Sequence, residues 1–461
     1  MATILGANSE SDAYEISNSL RFNDDDSAKL SRTFDSGGSQ QKFTFSTWVK
    51  RANLGSGYGD LFGTNLDSGE SAGSKSLSIG FTSSNTFTID SDTGAQLSLS
   101  TTKVFRDPAA WYHIVVAVDT TQGTEANRVK LYVNGIQETL SGNFPSQNMN
   151  TAMGRASEHT IGADYNSFFD GYMADIYFVN NQQYDQTYFG KFDSNGVWIP
   201  VENGTGAGGA ITFGTNGFFM QFKQTGTSQN SSGIGADTSG EDHHFAVTNL
   251  ASHDVVTDTP TNNFCTLNPL DTRDTLSEGN LKRVSPQGAS TSTISVGSGK
   301  WYVEFLVVTQ GAILSGFVED GYATHGNAQP HDHGDNALFY TSTGQKIINN
   351  SFTSYGSTAS AGDIVGCAFD LDNDTAQFFI NNSSQGTFSK TYTTGASYFF
   401  AASDVTTATN STDFINFGHD SSFAGAKTAQ NNSDGNGHGD FYYSPPSGFL
   451  AICTKNVAET G

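Results

Sequence analysis

Basic charge is scarce in this 461-residue chain. Lysine and arginine total 22 against 46 aspartates and glutamates, for a net charge of −24. Charged residues of both signs make up 15%, where globular chains carry about 25%. A field of that sign repels phosphate backbones and anionic lipid, which argues against nucleic acid and against membrane insertion. Cysteine is nearly absent. Cys265, Cys367 and Cys453 are far apart, odd in number and without metal-type pair spacing. Cys367 sits in the apolar run IVGCAFDL and is expected as a buried free thiol. No apolar run approaches the ~18 residues of a membrane span. The opening MATILGANSESDAYEISNSL has no Lys or Arg before Arg21 and does not read as a secretory signal. Helix-period segments beyond about two turns are also missing, which excludes bundles and coiled coils.

What is present is phenylalanine, 35 residues of it, with 17 tyrosines and 4 tryptophans. So much aromatic area needs burial and excludes general disorder. Apolar residues fall in short alternating runs: KFTFSTWV, WYHIVVAVD, RVKLYVNG, GYMADIYFV, GKWYVEFLVV, DIVGCAFDLD and TAQFFINN. Clusters of Gly, Asn, Asp and Ser separate them. That pattern predicts an all-β chain of antiparallel sandwiches.

One arrangement occurs twice. Trp111–Val118 leads through an acidic turn to Val129–Val133 and then Asn134-Gly135. Ile364–Asp370 leads through Asp372 and Asp374 to Thr375–Ile380 and then Asn381-Asn382. Both second strands end in a residue pair suited to positive φ. Two hairpins of one style predict two tandem sandwiches. The expected organisation is an N-terminal arm over 1–19, a sandwich over 20–202, a linker with closing strands over 203–263, and a second sandwich over 264–461. Within the linker, ITFGTNGFFMQF is too apolar for a loop and is expected as strands that close the first sandwich or bridge the two.

The segments SLRFNDDDSAKLSRTFD, KFTFSTWVKR, AWYHIVVAVDTTQG, VKLYVNGIQE and TIGADYNSFFDGYMADIYFVN arrive in an order that resembles a laminin-G/concanavalin-A-like jelly roll, over roughly 18–180. GKWYVEF, GDIVGCAFDLDNDTAQFFINN and DFINFG resemble a SPRY-type sandwich, over roughly 264–455. The joining text, with GTNGFFMQF, DTPTNNFCTLNPLD, LSEGNLKRVS and FYYSPPSGFLAICTKN, is similar to structural proteins of tailed bacteriophages, marine ones especially. The resemblance implies a virion component, other virion proteins as partners, and assembly as a homotrimer.

Rim loops of such sandwiches recognise partners, and aromatic rings stack on the C–H faces of sugars. Tyr58, Tyr165, Trp198 and Tyr322 are the expected rim residues for a glycan. Calcium is the expected ion, because hard cations take clustered carboxylates. Its candidate ligands are Asp24 in Asn23-Asp24-Asp25-Asp26, Asp90 and Asp92, and Asp170 with Asp175; His331 and His333, at i and i+2 on a strand, would share a face and suit a transition metal. Glycosidase chemistry needs two carboxylates ~5–10 Å apart. Asp170-Gly-Tyr-Met-Ala-Asp175 offers one acid in the strand, followed by Ile176 and Tyr177 where a second would be wanted. No nucleophile elbow, Walker loop or dinucleotide fingerprint occurs.

The expectation is a non-enzymatic virion protein: a tail-fibre or spike-type adhesin head that recognises host surface glycan. A capsid-decoration or fibre-connector protein is the alternative, favoured by the lack of shaft repeats, and a glycan-degrading enzyme ranks third. Trp48, Trp111 and Trp301 are expected as core anchors, and Gly135 to need positive φ.

Overall fold

A computed structural model describes residues 14–460, except 56, 58, 65–75, 92–95, 165–166, 286, 322–328, 333–334 and 406–409. The described elements are antiparallel strands, a few single-turn 3-10 helices and one short helix, Thr454–Thr460. The chain divides into two compact units at the 261/262 junction.

In the first unit, alternation decides which side chains enter the core. Strand Lys42–Arg51 turns Phe43, Phe45 and Val49 inward, and Trp111–Asp119 turns in Ile114, Val116 and Val118. These two strands lie side by side in a sheet ordered Ile136–Gln137, Val129–Val133, Trp111–Asp119, Lys42–Arg51, Gly171–Asn180, Ser19–Phe22, Val255–Val256. A second sheet runs Leu140–Asn143, Ser98–Val104, Thr86–Ser91, Leu77–Phe81, Gly59–Thr64, Glu158–Ile161, Lys29–Thr33, Ala246–Thr248. The two sheets enclose one apolar core, where the rings of Phe45 and Phe62 stack at 5.0 Å.

The outer face of the first sheet is also buried. Trp48 and Trp111, at 2% and 6% exposure, point away from the inter-sheet core and pack with Ile16, Tyr172 and Trp198. They are anchors as expected, but of a further layer. Val115, Tyr177 and Val179 form a second outer cluster with Phe189, Phe213 and Phe219. Gly171–Asn180 can serve both faces because a bulge at Asp175, φ +44°, shifts the register between Ala174 and Tyr177. Met173 faces the core before it, and Ile176 and Phe178 after it.

Residues 203–261 belong to this unit. Phe218–Met220 pairs with Gly171–Asn180, Ala246–Thr248 with Lys29–Thr33, and Val255–Val256 with Ser19–Phe22. Asp258, fully buried, takes Lys50 Nζ at 2.8 Å and Trp111 Nε1 at 3.3 Å, and Arg21 meets Asp254 at 3.0 Å. The described part of the N-terminal arm is packed as well: Ile16 is buried and Ser19 opens the first strand.

The second unit repeats the two-layer plan. One sheet runs Leu267–Thr272, Ala289–Val296, Tyr398–Asp404, Ile313–Glu319, Asn336–Tyr340, Gln345–Ile348, Ser351–Ser354. The other runs Thr275–Ser277, Lys282–Ser285, Ser411–Asn416, Lys300–Thr309, Ile364–Asp370, Thr375–Ile380, Ser383–Ser389. Between them Phe317 stacks on Phe369 at 4.0 Å, and Trp301 is 1% exposed. Arg283, wholly buried, is held by Asp413 and by Asp274 at 3.2 Å. Cys265, Cys367 and Cys453 are buried free thiols. The chain is therefore two tandem antiparallel β-sandwiches.

Candidate functional site

Four separate stretches of the first unit meet at a cavity of about 320 Å³, within the range of small-molecule sites. The 3-10 turn Asp24–Asp26 brings Asp24. The end of strand Lys42–Arg51 and the loop after it bring Arg51, Asn53, Gly55 and Gly57. Phe81 comes from Leu77–Phe81, and Ser167, Phe168, Phe169 and Asp170 lead into Gly171–Asn180.

Arg51 is fixed by its neighbours. Strict alternation places it on the same side as Phe43, Phe45 and Val49, a charged group at an inward position. Its guanidinium lies 4.4 Å above the Phe81 ring and donates to Asn85 Oδ1 at 3.0 Å, the Phe105 carbonyl, and the Asn53 carbonyl at 3.2 Å. Burial lowers its pKa to about 10. Asn53 Nδ2 donates to Asp24 Oδ2 at 3.3 Å, and burial raises the Asp24 carboxyl above its ordinary value. Asp170 is 8% exposed. The wall thus offers carboxylates and an amide for hydroxyls, rings for apolar faces, and one cation.

Of the residues singled out in the sequence, Asp24 and Asp170 reach this cavity. Tyr58, Tyr165, Tyr322, Asp92 and His333 lie outside the described residues. Gly57, Gly59 and Ser167, next to or near Tyr58 and Tyr165 in the chain, line the cavity. Trp198 is not at a rim. It is 6% exposed, and its Nε1 donates to His113 Nδ1 at 3.1 Å. That bond leaves the ring proton on Nε2, which faces Ser46 Oγ at 3.0 Å. A histidine so protonated donates to the serine and does not activate it. Burial holds the His113 pKa down to about 3, so the trio is packing.

The remaining acids are dispersed. Asp175 sits at the bulge, fully buried, and burial raises its carboxyl to about 7. Asp90 lies in strand Thr86–Ser91. It and Asp164 add to the burial that raises Asp60 to about 8. Sequence reasoning missed Asp60 and Asp164, which become neighbours only once the sheet folds. His331 occupies the 3-10 turn Pro330–Asp332, not the expected strand, and its proposed partner His333 lies outside the described residues. Among the described residues no group of three or more His, Cys, Asp or Glu is placed to hold a metal ion.

Fold and cavity together define a protein of two β-sandwich modules, the first with a polar and aromatic recess at one end. Residues 22–186 match the concanavalin A-like lectin/glucanases superfamily, and residues 300–417 match the SPRY domain. Solved structures similar to part of the chain include the SPRY domain of human HERC1, at 15% identity over 32% of this chain and 96% of that one, TM-score 0.28. Stonustoxin is 22% identical over 33% of this chain and 27% of its own, TM-score 0.28. The PSpry domain of TRIM65 is 12% identical over 33% and 89%, TM-score 0.28.

Proposed function

We propose that this protein binds glycan without transforming it, as a tail-fibre or spike-type adhesin head of a bacteriophage virion, with host surface glycan and other virion proteins as partners. The observation that carries the reading is the recess of the first sandwich, lined by Asp24, Asn53, Asp170 and Ser167 together with the half-buried Phe168 and the buried Phe81 and Phe169. Carboxylates and amides hold sugar hydroxyls, and rings cover the C–H faces. The lectin-like match over 22–186 supports it, as does the likeness of the joining segments to phage structural proteins. Against catalysis, Asp175 is sealed inside a bulge.

The virion location, the homotrimer and a calcium requirement are parts of the same proposal. A glycan array read with calcium and with chelator tests the binding, and tagged protein imaged on intact particles tests the place. Hits on the array and label at the tail are expected. A blank array with no adhesion to host cells sinks the adhesin reading, and label on capsid faces supports the decoration or connector role, which the missing shaft repeats favour.

A further inference from the structure

Five cationic side chains are buried among the described residues: Arg21, Lys50, Arg51, Arg283 and Lys390. Four are paired with carboxylates: Arg21 with Asp254, Lys50 with Asp258, Arg283 with Asp274 and Asp413, and Lys390 with Asp335. Arg51, at 5% exposure, is the exception. Its bonds go to an amide and two carbonyls, all neutral. The phenol of Tyr112, the titratable group that acts on it, is itself pushed up to about 12 by burial and stays uncharged. A guanidinium has five N–H donors. Three are used toward the described residues, two on Nη1 and one on Nη2, with no further described acceptor for Nε–H or the second Nη2–H.

A buried charge without a counter-charge is expensive, several kcal/mol for an isolated ion. Beside its contacts with Asn85, Asn53, Phe105 and Phe81, Arg51 lines the recess. From this we infer that the recess takes a sugar bearing an anionic substituent, a carboxylate or a sulfate ester, with the anion on Arg51. The ring then lies against Phe168, the half-buried phenylalanine of the lining, and its hydroxyls donate to Asp24 and Asp170. Planar guanidinium and carboxylate match in geometry, and such charge-assisted bonds are about twice as strong as neutral ones. Asp24 and Asp170 do not cancel the site. Neither is within ion-pair distance of Arg51, and as acceptors they serve hydroxyls, not the anion.

The inference rests on the glycan reading, and its test separates the two. Full-length protein is titrated with three disaccharides of one linkage: one bearing glucuronate, one bearing glucose 6-sulfate, and the neutral glucose form. Salt is kept near 0.15 M, where charges beyond ~8 Å are screened and the −24 field does not dominate. At least one anionic sugar is expected to bind about tenfold or more tighter than the neutral one. Arg51→Gln, which removes the charge, is expected to collapse that ratio toward one. Should that variant not fold, Asp24→Asn supplies a second reading: one negative charge fewer in the recess raises the anionic-to-neutral ratio. Equal binding of charged and neutral sugars, or a ratio unmoved by either variant, overturns the inference and leaves the glycan reading standing. A blank glycan array, anionic glycans included, overturns both.

Discussion

Single residues carry much of what holds these sandwiches together. Gly135 follows Asn134 at the hairpin end, with φ +77°. A Cβ there would lie 2.2 Å from Trp198 Cε3. Gly135→Val therefore combines a backbone conformation hostile to branched residues with a clash against a buried ring, and is expected to destabilise by at least ~2 kcal/mol in urea titration. Glu304 is a different case. Its carboxylate accepts from the Tyr442 and Tyr443 amides, both at 2.8 Å, from Tyr302 Oη at 3.2 Å and from Asn416 Nδ2 at 3.4 Å. Burial outweighs these bonds and raises its pKa from 4.5 to about 7. The folded protein keeps a proton that the unfolded chain releases near pH 4.5. The group's contribution is thus fully present below that pH and is lost as pH rises through 7. Glu304→Gln removes the titration. Between pH 4.5 and 7.5 the parent's Tm is expected to fall relative to the variant's, and a constant difference would show that Glu304 is ionised throughout.

Strands were legible in the sequence because alternation is a direct consequence of a pleated ribbon with two different faces. Which face meets which layer was not. Trp48 and Trp111 are spaced as core residues are, and they are buried, yet on the side away from the inter-sheet core. The Asp175 bulge was equally hidden, since one extra residue in a strand carries no compositional mark. Its effect is large. Met173, Ile176 and Phe178 all face the core because Asp175 absorbs one position at φ +44°. Were Asp175 threaded into a regular ladder instead, Ile176 and Phe178 would turn outward and Tyr177 into the core. Deletion of Asp175 removes the extra residue and keeps Met173, Ile176 and Phe178 facing the core, so cooperative thermal unfolding of the first unit by calorimetry is expected to survive it. Asp175→Asn keeps the count, tolerates positive φ and should retain it. The recess was half visible: Asp24 and Asp170 were singled out as acids, and Arg51 could have been, as a charge at inward parity. Their meeting depends on residues 27 to 146 positions apart, which no local pattern reports.

At the scale of the chain, the two cores were foreseeable and the division between them less so. Residues 203–263 are rich in Gly, Ser, Thr and Asn, the composition of a loop, and composition is blind to pairing partners. Yet three short strands within that stretch complete both sheets of the first unit. Its last turn also neutralises two cations: Arg21 and Lys50, at 0% and 1% exposure, depend on Asp254 and Asp258. Breaking a buried ion pair by removing one partner costs about 3–5 kcal/mol. Two such losses match the ~5–15 kcal/mol stability of a whole domain, before the loss of the Phe218 and Phe245 rings from the core is counted. Two truncations separate the readings. A fragment ending at residue 202 is expected to show no cooperative unfolding, whereas one ending at residue 261 should unfold in a single sharp transition. Asp258→Ala in the longer fragment isolates one ion pair and should lower stability by about 3–5 kcal/mol. If the shorter fragment folded as well as the longer, the return segment would be a tether, and the buried lysine and arginine would have to find counter-charges elsewhere.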